Sequence, residues 1–492
     1  MVTPLLKKHQ SLILLTRWQR SNAMHSFRFS VSLAARSLLC AFSCIVLTAS
    51  CAYSPSTTLP ETDTQALQKA KSVDATSQIT TSWWKVFEVA ELAPVMKTLE
   101  SQNLTLNQAE QRVKRAQFLL AQVNAGDVPT ITARTSGRSG RDLDSGRSSH
   151  STSGGLGLSY DADIWGTREA QQRSRQLGID TAQYQFTDAL LDTQALFINT
   201  LLEQISLQSR LSIAMQNVEI SEALLNLVQI RFEEGDTSGI EVSQQRNTLI
   251  SAQSEVLRLS NSLTLNERAL AVLLGNESMQ FNTPEQKALL SLSLTDFSLP
   301  EVAPILSAEV LKQRPDVQLA IAQFKQADLA FYEASVAGLP GMSLSADIGV
   351  SDLLDLAQGW TLGAAVSSAA TLFDGGRLEA AEKAVKTDVA LAILQYQQTV
   401  LSAIEALLNS QTNLVFNQQN YRYALASLEN NQQLYRLADI RYKAGDTDFL
   451  NLLNAQRSFF SARQSVISNY QAVLSSVIAT YRESAGADIT SP

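Results

Sequence analysis

"RFEEGDTSGIEVSQQR" spans Arg231–Arg246, and "RYKAGDTDFLNLLNAQR" spans Arg441–Arg457. Each begins Arg-aromatic, reaches Gly-Asp-Thr at its fifth to seventh positions, and sits between long polar-apolar stretches. Glycine readily takes the left-handed geometry that ends a helix, so Gly235 and Gly445 read as helix stops. Asp236 and Asp446 suit the turn that follows. Proline is absent from 130 to 283 and from 341 to 491. Thr167–Glu234 therefore reads as a single helix, about 100 Å long at 1.5 Å per residue. A second helix of about 40 residues is predicted after each stop. Leu211, Val218, Leu225 and Phe232 fall at intervals of seven, as do Tyr421, Leu428, Tyr435 and Tyr442. A seven-residue apolar repeat implies left-handed supercoiling against neighbours. Each quoted stretch is then the tip of a long helical hairpin. A turn in an ordinary bundle is the alternative, but compact domains rarely hold helices of that length.

The duplication reaches beyond the turns. Offsets near 210 residues also pair "LTLNQAEQRVKRAQ" (Leu104–Gln117) with "PDVQLAIAQFKQAD" (Pro315–Asp328), Pro129 with Pro340, and Arg168 of "IWGTR" with Arg377 of "FDGGR". Four anchors in one order make the chain a tandem repeat, 83–275 and 315–486, with a proline-bearing linker at 276–314 and a short tail at 487–492. The period is much longer than that of solenoid units.

Two stretches in each repeat change to period two. They give strands at about 128–136 and 154–165, then at about 340–351 and 360–373. Leu156, Leu158 and Tyr160 alternate with Gly157, Ser159 and Asp161; Leu344, Ala346 and Ile348 alternate with Ser345, Asp347 and Gly349. Such alternation marks strands with one apolar and one polar face. Their length suits a tilted membrane strand, although a soluble sandwich strand alternates in the same way. Four strands cannot close a barrel, and an open edge in lipid leaves backbone groups unpaired. Three chains would supply twelve strands, a permitted barrel size. The expected fold is mainly α with membrane β: a trimeric channel-tunnel.

Composition narrows the function classes. The 492 residues carry a net charge of −8, which argues against nucleic acid as a partner. All three cysteines lie at Cys40, Cys44 and Cys51, and the histidines are His9, His25 and His150. Neither a Cys- or His-based metal site nor a His-dependent triad can be assembled from the body of the chain, so no enzyme, cofactor or metal is expected. The cysteines belong to the N-terminus. Residues 1–50 hold six Lys/Arg and no acidic residue, and Ser37–Leu47 is a short apolar core. They read as a signal peptide with a possible start at Met24. "LTASC" resembles a bacterial lipobox ending at Cys51, which would carry a covalent lipid; ordinary cleavage nearby is the alternative. Residues 51–82 read as a lipidated tether.

In order along the chain, "WWKVFEVAELAPVMKTLESQNLTLNQAEQRVKRAQ", "SYDADIWGTREA", "LKQRPDVQLA", "LFDGGRLEAA" and "RYKAGDTDFLNLLNAQR" resemble the hallmarks of TolC-like outer-membrane efflux proteins. The likeness is to the lipoprotein branch serving resistance-nodulation-division (RND) pumps, and covers roughly Trp83–Gly486. It implies a homotrimer in the outer membrane of a Gram-negative bacterium, with a twelve-strand barrel on a helical periplasmic barrel. It also implies a passive exit duct for drugs or other small toxic compounds, fed by an inner-membrane RND pump through a periplasmic adaptor. A conduit for type I protein secretion is the alternative. The family docks its adaptor at the hairpin tips, here Gly235, Asp236, Thr237, Gly445, Asp446 and Thr447. Its periplasmic gate maps to Tyr442, Asn451 and Asn454. The departures are Thr447 where relatives carry Arg, and Asn451 and Asn454 where they carry acids, which puts an ionic lock in doubt.

Overall fold

The computed structural model describes residues 81–281, 283–300, 308–353 and 359–486. The expected signal peptide, Cys51, nearly all of the tether and the tail at 487–492 lie outside them.

Repeat one begins with α1 (Leu92–Gln102) and α2 (Leu104–Asn124), then β1 (Thr130–Arg141) and β2 (Ser148–Ala162). The helical hairpin α3 (Thr167–Glu233) and α4 (Gly239–Leu273) follows. The linker holds α5 (Pro284–Leu290) and α6 (Ala308–Gln313). Repeat two supplies α7 (Pro315–Val336), β3 (Gly341–Val350), β4 (Trp360–Ala369), α8 (Arg377–Lys443) and α9 (Phe449–Glu483). The two long helices have 67 residues each and their partners 35 each. The duplication is thus kept to the residue in the hairpins, and the second helices are shorter than the sequence suggested.

The strands form one antiparallel sheet in the order β1-β2-β3-β4. Its register aligns Ile131, Leu158 and Ala346 with Ala364, and Tyr160 and Leu344 with Val366. Cross-strand partners share a face, so the alternating apolar residues of all four strands fall on one side. Thr132, Gly157, Asp347 and Gly363 fall on the other.

Strand ends differ from the sequence reading. The first hairpin runs on to Arg141 and starts again at Ser148, because backbone pairing continues after the apolar alternation stops. Residues 163–165 and 370–373 are not strand. They lead into helix starts, where Asp163 accepts the Arg168 and Glu169 amides and Asp374 accepts those of Gly376, Arg377 and Leu378. A carboxylate is favourable at a helix N-terminus because it pairs otherwise unsatisfied donors.

Helices pack as a row in two tiers. Near the sheet, α2, α3, α7 and α8 lie side by side; towards the tips the row is α4, α3, α9, α8. The seven-residue stripe on α3 is half-buried at Leu211, Val218 and Leu225 and exposed at Phe232, so it is only the margin of the seam. The seam itself is Leu207, Ala214, Ser221 and Val228, all buried. Small and polar members hid it from a hydrophobicity pattern.

Between the tiers lies the main core, where Trp83 stacks on Tyr481 at 5.9 Å and bonds Gln194. The linker residues Phe281, Leu289, Leu294 and Phe297 fill this core, so these parts of the linker are packed into the body. Buried Arg314 pins the end of the linker to Glu483 at 2.8 Å and to Asp316 at 2.9 Å.

Candidate functional site: the paired hairpin tips

Both tips are closed by the same hydrogen bonds. The Gly235 amide donates to the Phe232 carbonyl at 3.1 Å, and the Asp236 amide to that of Arg231 at 2.8 Å. The Gly445 amide donates to Tyr442 and the Asp446 amide to Arg441, at the same two distances. This is the Schellman arrangement, which satisfies carbonyls at a helix end and needs a left-handed residue. Gly235 has φ +82° and Gly445 φ +76°. A Cβ would meet no atom within 4 Å at either position, so conformation and not space requires glycine.

The side chains separate the tips. In the second, Arg441 Nε donates to Asp446 Oδ2 at 2.9 Å. In the first, Arg231 leaves its own turn: its guanidinium carbon lies 4.7 Å from the Tyr442 ring centroid, and its Nη2 donates to the Lys443 carbonyl at 3.4 Å. Thr237 bonds Glu241, and Thr447 bonds Asn451 Nδ2 at 3.1 Å. Thr447 therefore serves its own helix start.

Tyr442 is buried with Leu224, Val228, Phe449, Leu452 and Leu453, a cluster that joins the two hairpins. Burial raises its phenol pKa, and the Arg231 charge opposes that rise. Below the cluster a polar bridge links the hairpins. Gln456 Nε2 donates to Ser221 Oγ at 3.1 Å, and Gln245 Nε2 donates to the Ser221 carbonyl at 2.9 Å. Asn451 and Asn454 are exposed on α9 while Leu452 and Leu453 between them face inward. The structure thus brings Tyr442 into the hairpin core and leaves the asparagines on the opposite face. Sequence reasoning missed the Arg231–Tyr442 pairing, which spans 211 positions and leaves no local pattern.

Among the described residues no helix is long and apolar enough to cross a membrane, and no group of His, Cys, Asp or Glu could hold a metal ion. Residues 95–276 and 306–482 each match the family model "Outer membrane efflux protein". The chain belongs to the outer membrane efflux protein family. The pair of matches coincides with the two repeats and skips most of the linker. The pyoverdine export outer membrane protein OpmQ of Pseudomonas aeruginosa is 26% identical over 417 residues, covering 82% of this chain and 87% of that protein. The cation efflux system protein CusC of Escherichia coli O157:H7 is 25% identical over 413 residues, covering 80% and 86%. The crystal structure of the CmeC outer membrane channel of Campylobacter jejuni superposes with a TM-score of 0.77 at 20% identity, covering 89% of this chain and 96% of that one. This outer membrane efflux protein therefore has the protomer fold of a channel.

Proposed function

We propose that three copies close into one tunnel, which is the passive outer-membrane exit of a tripartite efflux system for drugs or other small toxic compounds. One observation carries the reading: sheet and helices end at the same two open sides. β1, which follows α2, is one sheet edge, and β4, which precedes α8, is the other. Likewise α2 and α4 flank one side of the helix row and α8 the other. An unpaired edge has no place in lipid, and a head-to-tail contact that closes forms a ring. Three protomers give twelve strands and six tips, three of each kind in alternation. An RND-type pump would supply the energy, and an adaptor would seat in the grooves between the unlike tips. A lipid on Cys51 would add a second anchor.

Co-expression with a pump and adaptor in a strain lacking its own exit duct should lower drug accumulation, and the purified protein should sediment as three protomers. A monomer, or accumulation unchanged, refutes the proposal. Clickable palmitate should label the wild type and spare Cys51→Ser; equal labelling removes the lipid alone.

A further inference from the structure

The polar face of the sheet carries only four charged residues among its described positions, and the register sorts them by sign. Nearest the helices, Asp161 pairs with Ser343. The next charged row is Thr132, Gly157, Asp347 and Gly363. One step further lies Arg134, in a row with Gly155, Gly349 and Thr361, and then Arg138 opposite Ser151. Acids thus occupy the helix-side half and arginines the far half. At about 3.4 Å per residue, the arginines stand roughly 14 Å apart along the strand.

Both arginines are exposed, and neither makes an ion pair among the described residues. The row of Arg134 is bare on two neighbouring strands. A Cβ at Gly155 would come 2.8 Å from the Ile348 carbonyl oxygen, and one at Gly349 would come 3.2 Å from that of Gly154. Side chains there would need the backbone to shift, so the strip beside Arg134 stays open. At the other end, the exposed Asn451 and Asn454 are neutral and set no opposing selectivity by charge at the gate positions.

Resting on the trimeric duct proposed above, we infer that Arg134 and Arg138 form an anion-selecting girdle in the outer half of the barrel lumen. The cargo class it favours is small molecules bearing carboxylate, sulfonate or phosphate groups. Three protomers place six guanidinium groups in two bands. Each is permanently charged, and its planar fork of donors matches such oxyanions two bonds at a time. In the outer half the charges are of one sign, and inside a low-dielectric wall they focus the field and enrich counter-ions there.

The test is the reversal potential of the purified protein in planar bilayers under a potassium chloride gradient. Wild type should prefer chloride. The double variant Arg134→Gln/Arg138→Gln should lower the chloride-to-potassium permeability ratio by about threefold. The pair Arg134→Lys/Arg138→Lys should restore it, and Arg141→Gln, on the opposite face at the strand end, should leave it unchanged. Carboxyfluorescein added on the barrel side should reduce wild-type current and spare the double Gln variant. A conducting protein whose reversal potential is the same in wild type and double Gln variant overturns the girdle and leaves the duct standing. A protein that never conducts overturns the duct, and the girdle with it.

Discussion

Asn454 stands exposed one helical turn from the equally neutral and exposed Asn451. A gate closed by amide pairs around a threefold axis would gain only about 0.5–1.5 kcal/mol from each pair and would be loosely held. Asn454→Asp would bring three carboxylates towards one axis. Like charges raise one another's pKa, so the repulsion is present at about pH 8 and relieved near pH 4. Single-channel conductance of Asn454→Asp should rise at the higher pH and return on acidification; unchanged conductance removes the residue from the gate. Asp188 offers a second titration. Burial and neighbouring Asp192 raise its pKa, and Arg482, 3.7 Å away, opposes them. A carboxyl whose folded pKa is raised stabilises the fold below its unfolded pKa, and that contribution is lost as pH rises through the folded one. Asp188→Asn should therefore stabilise the fold at neutral pH by about 0.5 kcal/mol at this half-buried site, read as a higher melting temperature. The gain should vanish in acid. At this scale the glycine stops were legible in the sequence, since a positive φ leaves its mark on residue type. The partner of Tyr442 was not, because contact between distant helices leaves no trace in either one.

Strands were read from alternation, and their faces follow the register closely. What the pattern could not show is pairing. β2 and β3 are neighbours, although the whole first hairpin and the linker separate them in sequence. Nor could it mark strand ends, since Ser148–Ser153 pair through backbone groups while their side chains carry no apolar signal. Leu344 lies in the apolar row with Tyr160 and Val366, and Ser345 in the polar row with Ser159 and Ala365. Leu344→Lys should cost about 2–4 kcal/mol in lipid and Ser345→Lys far less. Heat resistance of the assembled protein on gels should fall for the first and hold for the second. Equal behaviour would mean that the sheet is not in a membrane.

The whole molecule leaves apolar surface where a neighbour belongs. Leu394, Leu401, Leu408 and Val415 are 40–67% exposed at intervals of seven along α8. Ile250, Leu257, Leu265 and Val272 are 53–72% exposed along α4, on the other flank of the row. Stripes of this kind are rare on monomers and mark interfaces. Leu401→Glu should shift purified protein from trimer to monomer in analytical ultracentrifugation, while Gln398→Glu on the same helix should not. Preserved assembly of Leu401→Glu would place the interface elsewhere.

The long helices also have a mechanical side. Each starts at a left-handed glycine, Gly166 at φ +69° and Gly376 at φ +85°, with a carboxylate fastening its first amides. No proline interrupts either helix before its tip. Each is a lever roughly 100 Å long, with its fulcrum at the glycine. A tilt of about 3° there sweeps the far end sideways by about 5 Å, close to one helical pitch. Very little angular play at the sheet end of each helix is enough to displace the tips a hundred ångströms away.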